Sequence, residues 1–194
     1  MILADRVKRL LLQPKEEWTA IEAESLSVQD LYTRYVMILA AIPPVAAFIG
    51  YSLVGIGAFG KTFRVPLGIG IAHMVVGYLL SLGAVYLLAL VINGFAQKFD
   101  APRDFLAALK LAAFTPTPAW LAGIFSIIPS LWIIGVLLGL YSLWLLYVGL
   151  PIVMRAPVEK LLTYRVVVLI TALVLPVVLR GVTDLVLPAP VRGF

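Results

Sequence analysis

Four long stretches of this chain hold no residue that is charged at neutral pH: Tyr35–Gly60, Val65–Gln97, Leu111–Met154 and Val166–Leu179. No other feature limits its fold as much. Backbone amides in hydrocarbon find no water, so a segment crossing a bilayer must close its hydrogen bonds within itself, as a helix of roughly 20 apolar residues. A soluble chain is about a quarter charged. Here 13% of residues are charged, 62% are hydrophobic and mean hydropathy is +1.06. The chain reads as all-α, a polytopic membrane protein with five transmembrane helices.

Composition also excludes chemistry. The absence of cysteine removes disulfides, thiolate metal sites, iron–sulfur clusters and thiol nucleophiles. A single histidine, His73, rules out a two-His metal site, and no acid falls in the charge-free stretches to pair carboxylates at membrane depth. No cofactor, no metal and no enzymatic activity are expected. The net charge of +5 and pI near 9.6 read as membrane topology rather than nucleic-acid binding, since no aromatic–basic stacking platform accompanies them. Asp5, Arg6, Lys8, Arg9, Lys15, Glu16 and Glu17 interrupt the first thirty residues, so no cleavable signal peptide is expected.

Residues 1–34 read as an amphipathic cytosolic arm lying at the membrane surface. Leu3, Val7, Leu10 and Leu11 recur at helical spacing beside Arg6, Lys8 and Arg9. Gln13-Pro14 restarts the helix, with Glu16 and Glu17 favouring its positive end. Trp18 and Ile21 give that second helix an apolar edge for lipid or for the bundle.

Residues 35–194 form the membrane domain. Span one covers about 35–59, kinked at Pro43-Pro44. Span two covers 66–92, and a polar loop at 93–104 ends on Asp104, a fitting N-cap. Span three covers 105–128 and carries Thr115-Pro116-Thr117-Pro118 near its middle. Each proline lacks an N–H, so the carbonyls of Ala112 and Phe114 lose their helical donors, and the Thr115 and Thr117 hydroxyls are candidate replacements. Span four covers 131–150 with Trp132 and Tyr147 near its ends, and span five covers 161–179. With the N-terminus inside, eleven Lys and Arg fall on the cytoplasmic side and four (Lys61, Arg64, Arg180, Arg192) on the other. That bias places the C-terminus outside.

Gly55–Thr62 matches the phosphate-loop pattern letter for letter, but a membrane helix precedes it where a strand is required, so we read it as a glycine-rich turn. His73 inside span two is either a neutral imidazole bonded to a neighbouring helix or a proton or ligand site. Lys110, a turn and a half into span three, either snorkels to headgroups or lines a cavity. Gly135-x-x-x-Gly139 permits close helix approach, within one chain or in a homo-oligomer.

A wider set of residues carries a resemblance. Asn93-Gly94-x-Ala96-x-x-Phe99 and Ala108–Phe114 come first, then Thr117–Phe125, Ile128–Leu131 and Gly139–Leu143. Leu145–Pro151, Met154–Lys160 and Tyr164 complete it. Together they resemble the bacterial branch of the Yip1 membrane-protein family, with Gln97, Asp100 and Arg155 departing from its usual residues. The resemblance implies five spans, a cytosolic N-terminus, the bacterial inner membrane and no known chemistry.

Two functional readings follow. The first is a non-catalytic membrane organiser that binds lipids, or a protein partner through residues 1–34 and 93–104. The second is a small transporter or channel around the broken span three, with His73, Lys110, Thr115 and Thr117 as polar lining.

Overall fold

A computed structural model describes residues 3–58 and 61–187. Arg192 of the charge count, Phe59 and Gly60 of the glycine-rich run, and the Trp132 side chain lie outside the described residues. Among the described residues, five helices are long and apolar enough to cross a membrane: Val28–Val54, Leu67–Phe99, Phe105–Ile127, Ile133–Val153 and Val158–Val186.

Span one starts ahead of Tyr35, where loss of charge suggested. Ser27 and Asp30 form a capping box, with the Asp30 amide donating to Ser27 Oγ at 3.0 Å. Such a box satisfies the orphan amides of the first turn and fixes the start at Val28. Arg34 pairs with Asp30 at 3.3 Å, one turn apart, so both charges fit within the helix. At Ala40-Ala41 the helix breaks, and Ile42–Phe48 restarts it with the proline pair in the first turn. Gly55 ends the span at φ 91°, a left-handed conformation that glycine adopts without penalty.

A short antiparallel ribbon, β1 (Ile56–Ala58) and β2 (Lys61–Phe63), then joins spans one and two. The described part of the glycine-rich run therefore lies in this ribbon, where a phosphate loop would open a helix. Span two continues in α-helical form to Ala96 and as a 3₁₀ turn to Phe99. Asn93 and Gly94 thus lie inside the helix rather than in the loop. Tyr164 of span five explains this extension, since its buried hydroxyl donates to the Ile92 carbonyl at 2.7 Å. Lys160 pairs with Asp100 at 2.6 Å and ties the loop to the start of span five.

Span three is the hub. Its most apolar window is 67% buried, against 33%, 22%, 28% and 6% for spans one, two, four and five. It contacts spans one, two and four, while span five packs outside on spans two and four. Small residues allow this crowding. A Cβ on Gly123 would come within 2.6 Å of Pro43, so span one crosses almost backbone to backbone.

The arm folds onto the bundle instead of lying apart on the surface. Helices α1 (Leu3–Leu12) and α2 (Pro14–Ala23) form a hairpin about Gln13, and α2 packs on span four and the first half of span three. Leu10, Trp18 and Ile21 are fully buried. The same apolar positions that suit a lipid surface suit a protein groove, and periodicity does not distinguish the two.

Candidate functional site

The break in span three lies directly beneath the docked arm. The first half, Phe105–Phe114, is capped by Asp104, whose carboxylate accepts from the Ala107 amide at 3.0 Å. Thr115 and Pro116 form the turn, and Thr117–Ala122 resumes the helix. Pro118 cannot donate to the Phe114 carbonyl, but the Thr117 hydroxyl does, at 2.6 Å. The Tyr35 hydroxyl of span one donates to that same Thr117 oxygen at 2.7 Å. Ser142 of span four accepts the Ala119 amide at 3.2 Å and so caps the resumed half. Thr115 Oγ1 is buried without a hydrogen-bond partner.

These bonds make a prediction. Thr117→Val keeps the shape but leaves the Phe114 carbonyl and the Tyr35 hydroxyl unsatisfied at a fully buried position. It should destabilise the protein by about 1–3 kcal/mol, read as a lower unfolding temperature in detergent. An unchanged transition would refute the bridging role of Thr117.

Above the break, aromatic and charged groups stack into the arm. Phe114 meets Tyr35 at 4.5 Å and the edge of Trp18 at 6.5 Å between ring centroids. The Arg6 guanidinium stands 5.3 Å over the Phe114 ring. Arg6 also pairs with Glu17 at 3.1 Å and bonds to Glu24. Glu17 is 2% exposed, so this carboxylate is held away from water by one arginine.

The Lys110 side chain is buried and turns to the arm. Its ammonium donates to the carbonyls of Glu22 and Glu24 at 3.1 and 2.5 Å, closing the C-terminal end of α2. A cation there also meets the negative end of the helix dipole. Beyond span four, Arg155 reaches back to Glu22 through both Nε, at 2.8 Å, and Nη2. The Tyr141 hydroxyl donates to the Leu11 carbonyl of α1 at 2.6 Å. Each end of the arm hairpin is therefore bonded to the bundle.

The remaining candidates lie elsewhere. His73 bonds through Nδ1 to the Ile69 carbonyl at 2.9 Å, and its buried Nε2 has no partner. Asn93 Oδ1 is likewise buried and unpartnered, and Gly94 faces open space. A Cβ on Gly135 or Gly139 would meet nothing within 4 Å, so neither glycine serves packing within the chain. The close-packed glycine of span four is Gly149, where a Cβ would lie 2.5 Å from the Trp18 ring and 2.9 Å from Leu111. Among the described residues, no group of three His, Asp or Glu could hold a metal.

Sequence reasoning missed Arg6, Glu17, Trp18, Tyr35, Phe114, Ser142 and Gly149 as parts of one site. Ser142 offered a signal, as a polar residue deep in an apolar span. The Arg6–Glu17–Glu24 cluster offered none, because its spacing corresponds to no single helix face.

Comparison with known proteins identifies the architecture. The family model described as Yip1 domain matches residues 8–179, which includes the arm from Lys8 onward, the break, the first four spans and most of the fifth. The chain belongs to the Yip1 domain family. It is similar to the inner membrane protein YohC of Escherichia coli (strain K12) and to its namesake in Escherichia coli O6:H1 (strain CFT073). Each is 28% identical over 121 residues. The matched stretch covers 62% of this chain and 62% of the length of each relative. No solved structure matches the chain. This Yip1-family chain is a multi-pass membrane protein, with its arm matched from Lys8 onward.

Proposed function

We propose that the chain is a non-catalytic organiser of the bacterial inner membrane, with its N-terminus in the cytoplasm and its C-terminus outside. The observation that carries this reading is the docked arm. The arm packs Arg6 and Trp18 onto Phe114 above the break, and Thr117 is fully buried. Thr117 of the break is spent on internal bonds and Thr115 is buried, which weighs against the transport reading in this conformation. What the chain offers outward is polar and mostly charged: exposed Asp5, Lys8, Arg9, Lys15 and Glu16 on the arm, with Gln97, Lys98, Arg103 and Asp104 at and beyond the end of span two. Such a surface suits lipid headgroups or a protein partner rather than a reacting substrate. The inner-membrane placement draws on the name of the relatives, and the orientation on the excess of Lys and Arg on the arm's side.

The test is capture from lipid nanodiscs, comparing the intact chain with one lacking residues 1–24, a cut that spares the cap of span one. Proteins and lipids that co-purify are read by mass spectrometry. A lipid or protein retained only by the intact chain is the expected result. Identical profiles would overturn the organiser reading.

A further inference from the structure

The arm is docked at a depth where its outer face is chemically out of place. Three ties fix its position along span four. Glu22 is held at Arg155, Trp18 lies against Gly149, and the Leu11 carbonyl accepts from Tyr141. Reading α2 backward therefore descends span four, from beyond its end into its middle. Tyr141 lies about 18 Å along the helix from Val153, the last residue of span four. Arg165, stacked 3.8 Å over the Tyr147 ring as an interfacial anchor, sits about 9 Å shallower on the same rise.

The buried side of this hairpin is apolar or ion-paired. The opposite side is neither. Asp5, Lys8, Arg9, Lys15 and Glu16 are exposed, and none forms an ion pair among the described residues. Ionised groups do not stand against acyl chains, so headgroups and water must come to them. Lysine and arginine outnumber the acids on that face, which selects anionic headgroups. Lys8, Arg9 and Gln13, with Asp5 and Leu12, line a recess of about 300 Å³ at the turn. Leu12, 70% exposed, offers an apolar contact for an acyl chain at its edge.

We propose that the leaflet on the arm's side is indented along span four, with anionic phospholipid headgroups drawn down onto Lys8, Arg9 and Lys15. This deepens the organiser reading, and rests on it, by naming the lipid class and the deformation.

The chain has no cysteine, so nitroxide labels can be placed singly by substitution. Leu12→Cys and Glu16→Cys report the arm, and Leu140→Cys reports lipid-facing span four at the same level. Vesicles are made of phosphatidylcholine with or without phosphatidylglycerol. The expected result is severalfold greater collision with a water-soluble nickel chelate at 12 and 16 than at 140, where oxygen dominates. A doubly labelled 12/140 chain should report a short distance, confirming that the arm is docked during the measurement. Each of Lys8→Gln, Arg9→Gln and Lys15→Gln should lower the preference for spin-labelled phosphatidylglycerol over phosphatidylcholine about fivefold. Nickel-shielded arm labels would overturn the proposal. So would an arm parted from span four, or equal retention of the two lipids. Identical capture profiles for the intact and shortened chains, with the nickel pattern intact, would instead count against the organiser reading alone.

Discussion

Arg6→Ala should release the arm. The substitution leaves Glu17, 2% exposed, as an uncompensated buried carboxylate and frees Glu24 as well. Breaking one partner out of a buried ion pair costs about 3–5 kcal/mol, most of it the penalty on the charge left behind. It also removes the cation from the Phe114 ring. The measurement is tryptic cleavage after Lys15 in nanodiscs, expected to be slow in the parent chain and fast in the variant. Adding Glu17→Gln to Arg6→Ala should restore much of the protection, because the stranded charge is then gone. Arg6→Lys should recover only part, since an ammonium lacks the planar fork that serves two carboxylates at once. Parent-like cleavage in Arg6→Ala would show that the ion cluster does not hold the arm.

The second large effect comes from a residue with no side chain. In Gly149→Leu, the new side chain must occupy the volume of the Trp18 ring, whose nearest atom lies 2.5 Å from the position of the added Cβ. Leu111 Cδ1 lies at 2.9 Å, and both Trp18 and Leu111 are fully buried. Overpacking of this kind costs about 1–3 kcal/mol. The cheapest relief is for α2 to leave span four. Cleavage after Lys15 should accelerate again, while the five spans stay folded. Gly139→Leu on the same helix is the contrast: a Cβ there meets nothing, and the arm should stay seated. Equal behaviour of the two variants would contradict the proposed seat of Trp18.

That pair of glycines shows how far a sequence can be read. The spacing Gly135-x-x-x-Gly139 is the familiar sign of close helix approach, yet both positions face open space, and the glycine that packs tightly is Gly149. Spacing marks where two backbones are able to approach, and only the position of the partner decides whether they do. Lys110 carries the same lesson. An isolated span gives its ammonium no destination but the headgroups. In the folded chain the C-terminal end of α2 supplies two carbonyls, and the lysine turns inward to them.

By itself the sequence determined the five helical spans, the break at Thr115–Pro118 and the family. These follow from local rules: charge is excluded from hydrocarbon, proline lacks a donor, and a run of apolar residues closes its own hydrogen bonds. Tertiary structure alone decided where the arm goes, which threonine bridges the break and which glycine matters. Those outcomes join Arg6 to Phe114, Tyr35 to Thr117 and Trp18 to Gly149. Each contact spans many residues of chain, and an apolar helix face gains from burial against lipid and protein alike, so the choice belongs to the shape of the groove that receives it.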